Sequence, residues 1–242
     1  MKKKRILCLV LALMLCGCGK KAQPSVSAPS PSSSASPEVQ YEDIPVDFAF
    51  LQAQHPDIIG WITVGGTSIN DVIAQSEEDD FYLRHDLDGN YSVPGTYYIN
   101  KEHKKDFSTN GTVIYGHHLT DGSRFSDLEK YDDEEFLKNN REITIYTPDR
   151  VKKYQIFSAV IFSDVYIPDA YDFSNWDETQ KYLQDIKAST DSRSHTLDDV
   201  TITQESSLLI LRTCEYAYPP TEKRRIITAV QVSDKQGRYK AS

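Results

Sequence analysis

The chain has 242 residues, of which 39% are hydrophobic and 11% aromatic, with 15 tyrosines. That is room for one domain with a tail, and the large side chains exclude a wholly disordered protein. Lys and Arg number 27 against 36 Asp and Glu, a net charge of −9, which argues against nucleic-acid binding by phosphate neutralisation.

Residues 1–17 read as an export signal. Lys2, Lys3, Lys4 and Arg5 precede an apolar run from Ile6 to Cys16. That run is too short for a spanning helix, which needs about 20 residues. Its end, Leu15-Cys16-Gly17-Cys18, resembles a bacterial lipobox. Cleavage there makes Cys18 a lipid-modified N-terminus, with an uncleaved signal anchor as the alternative. Losing residues 1–17 removes four positive charges and takes the net charge from −9 to −13. Lipid, not basic attraction to headgroups, is then the expected membrane tether. Residues 18–43 form a Ser/Pro-rich tether (QPSVSAPSPSSSASPEVQ) with nothing to pack. The globular domain is expected over 44–242.

Val46 to Gln54 reads as a short helix with Phe48 and Leu51 on its buried side, joined in one variant of that reading by Phe50. Candidate strands follow at Ile59–Val64, Thr96–Asn100, Thr112–His117, Ile143–Thr147, Tyr154–Phe162, Ser207–Cys214 and Ile226–Val232. Many short strands suggest a barrel or sandwich. Two helical stretches interrupt them. Asp132 to Asn139 opens with acids, as helix N-termini prefer. Trp176 to Ala188 is preceded by Ser174, which with Asp177 makes an S-x-x-D capping pattern, and Tyr182, Leu183 and Ile186 share one face.

Of four cysteines, Cys8 and Cys16 leave with the signal and Cys18 is taken by the anchor. Cys214 is then alone in an exported domain, where cysteines usually pair. It is a nucleophile candidate on that ground. Three segments end in reactive side chains: VIYGHH (113–118), LLILRTCEY (208–216) and EKRRIITAV (222–230). A thiol attacks as its thiolate, an imidazole can hold and return the proton, and an arginine can steady an oxyanion. Alternation in the second segment puts Leu209, Leu211 and Thr213 on one face and Leu208, Ile210, Arg212 and Cys214 on the other.

These segments resemble the class B sortases, cysteine transpeptidases of Gram-positive cell surfaces. Leu211-Arg212-Thr213-Cys214 matches the family's Leu-x-Thr-Cys, NGTVIYGHHLTDGSRFSDL its histidine segment, and EKRRIITAV its arginine strand. The likeness runs from about Pro56 (HPDIIGWITVGGTSI) to the last strand, and the helix-bearing insert between Tyr166 and Ser206 is similar to the class B loop. The resemblance implies a mostly β fold: a closed, mostly antiparallel barrel of about eight strands with an N-terminal helix and that insert. It implies Cys214 as nucleophile, His117 rather than His118 as acid/base, and the backbone N–H of Glu215 as an oxyanion donor. Arg224 and Arg225 compete for the arginine role. Strand parity puts them on opposite faces, and the family spacing to Ala229 selects Arg224.

The implied reaction cleaves a C-terminal sorting signal similar to Asn-Pro-x-Thr-x after Thr. The acyl group then passes to an amine of a cell-wall precursor or a pilin, with no metal or cofactor. The implied place is the outer face of the cytoplasmic membrane. Two rivals stand beside it: a cell-wall cysteine hydrolase using the same pair, and a non-catalytic peptide-binding lipoprotein. Arg212 departs from the small or polar residue common in the family. It can alter substrate preference, raise thiolate content or be a solvated bystander. His55, His85, His103 and His195 read as ordinary loop or surface residues. Asp86-x-Asp88-x-Asn90 lacks the later calcium-loop positions and reads as a turn. Asp132-Asp133-Glu134-Glu135 reads as a solvated helix start, and Trp61 and Trp176 as packing residues.

Overall fold

The computed structural model describes residues 41–214 and 222–241, with the backbone alone at Cys214. Ten strands lie in this region: β1 (Glu42–Ile44), β2 (Ile58–Val64), β3 (Asn70–Ala74), β4 (Tyr97–Tyr98), β5 (Thr112–Gly116), β6 (Glu142–Tyr146), β7 (Arg150–Ser163), β8 (His195–Thr196), β9 (Leu208–Cys214) and β10 (Lys223–Tyr239). Eight of them form a closed ring in the order β10-β9-β5-β4-β3-β2-β6-β7, and β7 pairs back onto β10. The eight-stranded barrel that the resemblance implies is therefore present. Strands β1 and β8 attach outside the ring, to β10 and β7. Within the ring only β3–β4 and β5–β9 are parallel.

The two long strands, β7 and β10, close the barrel. Their pairing shifts register between Thr228 and Ala229 and again between Gln231 and Ser233. Such bulges sharpen strand bending and twist, which a closed small barrel needs.

Alternation sorts the apolar side chains into two layers. One face packs Ile62, Ile73, Ile114, Leu209, Leu211 and Ile227 together with Phe125, Leu128, Tyr131 and Leu137. The opposite face of the same strands carries Val113, Tyr115, Leu208, Ile210 and Ile226. It is covered by Tyr171, Phe173, Tyr182 and Ile186 from the insert. Because both faces of β5 and β9 are covered, these strands are apolar runs and not polar/apolar alternations. Each fully buried Leu or Ile contributes about 1.5–3 kcal/mol relative to exposure.

Helix α1 (Phe48–Gln54) is capped by Asp47, whose carboxylate accepts from Phe50 N at 2.9 Å. Phe48 is buried, but Phe50 points to solvent, 63% exposed. Helix α2 (Glu134–Asn139) starts two residues later than the acid run suggests. Asp133 is its cap, while Asp132 ends a preceding 3-10 segment (Phe125–Asp132). The insert holds α3 (Ile167–Ala170) and α4 (Trp176–Lys187). The cap of α4 is Asn175, accepting from Asp177 N at 2.9 Å, and not Ser174. Ser174 instead donates its hydroxyl to Asp172 at 2.6 Å. Thr179, Tyr182 and Ile186 form the buried stripe of α4. No described helix is long and apolar enough to cross a membrane.

The Asp86–Asn90 segment is a turn, with the Asp86 carboxylate accepting from Asp88 N and Asn90 N. His103 is not a surface residue. It is 5% exposed, and its Nε2 accepts from Val113 N at 3.2 Å. The loop before β5 folds back and spends this side chain on an edge amide of β5.

Candidate active site

Three strand ends meet at one place. In the parallel β5–β9 pair, Tyr115 is level with Arg212 and Gly116 with Thr213. One residue further, His117 leaves β5 as Cys214 completes β9. In the antiparallel β9–β10 pair, Arg224 is the direct partner of Cys214 and Arg225 of Thr213. Positions 117 and 224 thus flank position 214 from the two neighbouring strands. All three continue the alternation of Val113, Tyr115, Leu208, Ile210 and Ile226, the layer beneath the insert.

His117 is 9% exposed, and its Nε2 lies 2.8 Å from the Leu83 carbonyl oxygen. A carbonyl only accepts, so Nε2 carries the hydrogen and Nδ1 of the neutral ring holds the lone pair. Leu83 closes a short 3-10 segment (Phe81–Leu83), and its carbonyl orients the His117 ring. Burial is the largest influence on the imidazole and holds its pKa below the ordinary value. The bond to Leu83 opposes that, and Arg84 and Arg124 reinforce it. Neutral His117 is therefore the resting form at neutral pH. His118 turns the other way, its Nε2 2.9 Å from Glu129. Arg124, beyond the His117–His118 turn, adopts φ +58 and is held by Asp71 at 2.7 Å, over the Tyr97 ring.

The two candidate arginines part as strand parity requires. Arg225 is 1% exposed and pairs with Asp132, its Nη2 at 2.8 Å from both carboxylate oxygens. The Asp132 carbonyl in turn accepts from His195 Nε2 at 2.9 Å. Asp132 is thus an internal counter-ion and not a solvated helix start. Arg224 lies on the other face. Its Nη1 donates to the Lys223 carbonyl at 2.8 Å, and its Nη2 is 3.8 Å from the Asp164 carboxylate.

Arg212 is not a solvated bystander. Its guanidinium lies 5.6 Å from the Tyr115 ring centroid, and Nη2 donates to the Asp164 carbonyl at 3.0 Å. Tyr115 stacks between Tyr98 and Tyr166, with centroids 5.2 and 6.3 Å away. The Tyr98 hydroxyl donates to Asp80 and the Tyr166 hydroxyl to Glu102, each at 2.7 Å. Burial pushes the Tyr166 phenol up to about 12, so it stays protonated as a donor. No sequence pattern marks Leu83 or Asp164, because one contributes a backbone carbonyl and the other sits in a loop. Glu215 and Cys18 lie outside the described residues. Among the described residues no group of three or more His, Cys, Asp or Glu is arranged to hold a metal.

Comparison with known proteins agrees with this geometry. Residues 80–232 match the sortase domain family. The chain is 30% identical to sortase B of Staphylococcus aureus over 190 residues, covering 78% of this chain and 75% of that protein. The S. aureus sortase B–substrate complex superposes with a TM-score of 0.67 at 27% identity, over 79% of this chain and 87% of that one. A Streptococcus pyogenes class B sortase involved in pilus biogenesis gives 0.64 at 26%, over 77% and 98%. With the strand order, the insert and the Leu-x-Thr-Cys, histidine and arginine segments all in place, the chain belongs to the sortase family of cysteine transpeptidases, as a class B member.

Proposed function

We propose that this sortase cleaves an Asn-Pro-x-Thr-x-like sorting signal of secreted proteins after the threonine, with Cys214 as nucleophile. The single observation behind the reading is the strand register that brings His117 and Arg224 level with position 214. His117 Nδ1 takes the thiol proton as sulfur attacks the threonine carbonyl carbon. The resulting oxyanion is stabilised by Arg224, with the Glu215 N–H as a second donor. His117 then delivers the proton to the departing amine as the C–N bond breaks, leaving a thioester. An acceptor amine attacks that thioester, His117 removes the amine's proton and returns it to the leaving sulfur, and the thiol is restored.

The acceptor is a cell-wall precursor amine or an amine on a pilin-like protein; the second is favoured to the extent that the S. pyogenes relative works in pilus biogenesis. Cys18, lipid-modified, would hold the enzyme at the outer face of the cytoplasmic membrane, and residues 18–43 would be its tether. Loss of palmitate labelling in Cys18→Ala tests the anchor, and retained labelling refutes it.

The reaction is tested by incubating the protein with quenched Asn-Pro-x-Thr-x peptides, with and without a glycine or diamino acid acceptor. Amide product that requires Cys214 is expected. Cleaved acid alone, at any acceptor concentration, would assign a cell-wall hydrolase instead. Cys214 inert to a thiol probe, with peptide binding unchanged in Cys214→Ala, would assign a binding lipoprotein.

A further inference from the structure

Arg212 and Arg224 converge on one residue of the insert's entry strap. Arg212 takes the backbone carbonyl of Asp164 at 3.0 Å, and Arg224 faces its carboxylate at 3.8 Å. Asp164 follows directly on β7, and two residues later Tyr166 reaches the far side of the site. There its ring stacks on Tyr115, its hydroxyl donates to Glu102 and it accepts from Asn100 Nδ2 at 2.9 Å. The strap therefore crosses the layer on which positions 212, 214 and 224 lie. It is pinned at Tyr166 by the tyrosine stack and at Asp164 by Arg212.

A guanidinium is suited to this post. It is planar, so one face can lie on the Tyr115 ring while its edge donates to a carbonyl. A small residue at position 212 could do neither. A partly exposed carboxylate such as Asp164, 46% exposed at its side chain, holds an arginine weakly unless its own backbone is fixed. Arg212 supplies that fixing.

We propose that Arg212 is a positioning residue that acts on the reaction through Asp164, whose carboxylate, together with the Lys223 carbonyl, sets the direction of the Arg224 guanidinium. The proposal rests on Arg224 being the oxyanion or substrate arginine, as argued above. Arg212 touches no reacting atom. Its effect is to keep Arg224 at one angle, and misplacement of a positioned group by about 1 Å can cost about a hundredfold in rate.

The test is a double-mutant cycle on the full chain, read as kcat and KM for cleavage of Asn-Pro-x-Thr-x peptides. Arg212→Ala and Asp164→Asn should each lower kcat roughly tenfold with KM nearly unchanged, and the double variant should be no worse than either alone. Arg212→Lys, which keeps one donor for the carbonyl, should recover part of the rate. Independent, multiplicative losses would overturn the proposal, because Arg212 would then act without Asp164. So would a loss confined to KM, which would make Arg212 a substrate contact, and so would no loss at all. Asp164→Asn is a surface change, so it keeps the test open if Arg212→Ala folds poorly. Arg224→Ala is measured beside them. If it turns over at the full rate, the reading of Arg224 itself fails and the relay falls with it. If it is crippled while Arg212→Ala and Asp164→Asn are not, only the relay fails.

Discussion

Cys214 and Arg224 are direct antiparallel partners, while Arg225, one residue on, turns into the opposite layer and is neutralised by Asp132. One strand thus carries two adjacent arginines in separate layers. Arg224→Ala should lower kcat by about 10²–10³, about 2.7–4 kcal/mol in the barrier, if it serves as an oxyanion donor, with little change in Tm. Arg225→Ala should move Tm more than kcat per folded molecule. Steady-state rates beside thermal melts decide it, and the reverse pattern would put the wrong arginine at the site.

Strand patterning and parity are local properties, so the many short strands and the opposite faces of Arg224 and Arg225 are legible in the sequence, while the closed barrel and the choice of Arg224 follow from the sortase resemblance. Leu209/Leu211 against Leu208/Ile210 sort into the two layers as alternation requires. Other features depended on contacts far apart in the chain. Asp132 looked like a helix start because its partner is 93 residues away. His103 looked like a loop residue because its burial follows from a fold-back onto Val113. Strand β3 (NDVIA) has no strand pattern of its own, and its polar start is supported by pairing with β2. Strand β10 runs on to Tyr239 through polar residues for the same reason: β7 pairs with it as far as Gln236 and β1 covers its last residues.

Removing one partner of the Arg225–Asp132 pair should not be symmetrical. Arg225 is 1% exposed, whereas the Asp132 side chain keeps 29% of its surface in water. Asp132→Ala strands a buried cation and should cost up to about 3–5 kcal/mol, less whatever water recovers. Arg225→Met leaves a carboxylate that can hydrate and should cost less. Urea unfolding of both variants checks the order; equal losses would show that the cation is not desolvated.

Activity should rise as pH climbs through the depressed His117 value and fall again on the alkaline side. The acid midpoint should lie below about 6.5, the ordinary imidazole value, because burial favours the neutral ring. On the proposed mechanism the two limbs belong to the cysteine–histidine pair as a unit. Stability carries the same sign. As pH falls, the unfolded chain takes up its proton first, near pH 6.5, so the contribution of His117 is complete above about 6.5 and is lost as pH drops through the folded value. Wild type should therefore lose more Tm than His117→Gln between about pH 7.5 and about pH 5.5. A larger loss in the variant would mean that folded His117 prefers its charged form.

The carbonyl that orients His117 is itself held by the absence of a side chain. Gly95 has φ +59, and a Cβ there would sit 2.5 Å from the Tyr82 oxygen and 2.6 Å from the Leu83 oxygen. Those are backbone atoms and cannot swing aside, so Gly95→Ala must displace the Leu83 carbonyl from His117 Nε2. Gly89 is the matched control: its φ is +77, but the nearest atom to an added Cβ is the Phe81 ring at 3.9 Å. Both variants bear the left-handed penalty of about 1–2 kcal/mol, seen as lower Tm. Only Gly95→Ala should also lose kcat in the folded protein, roughly tenfold or more, with its acid limb moved because the Leu83 bond no longer supports the charged ring. Equal kcat in the two variants would remove Leu83 from the catalytic arrangement and leave His117 oriented by packing alone.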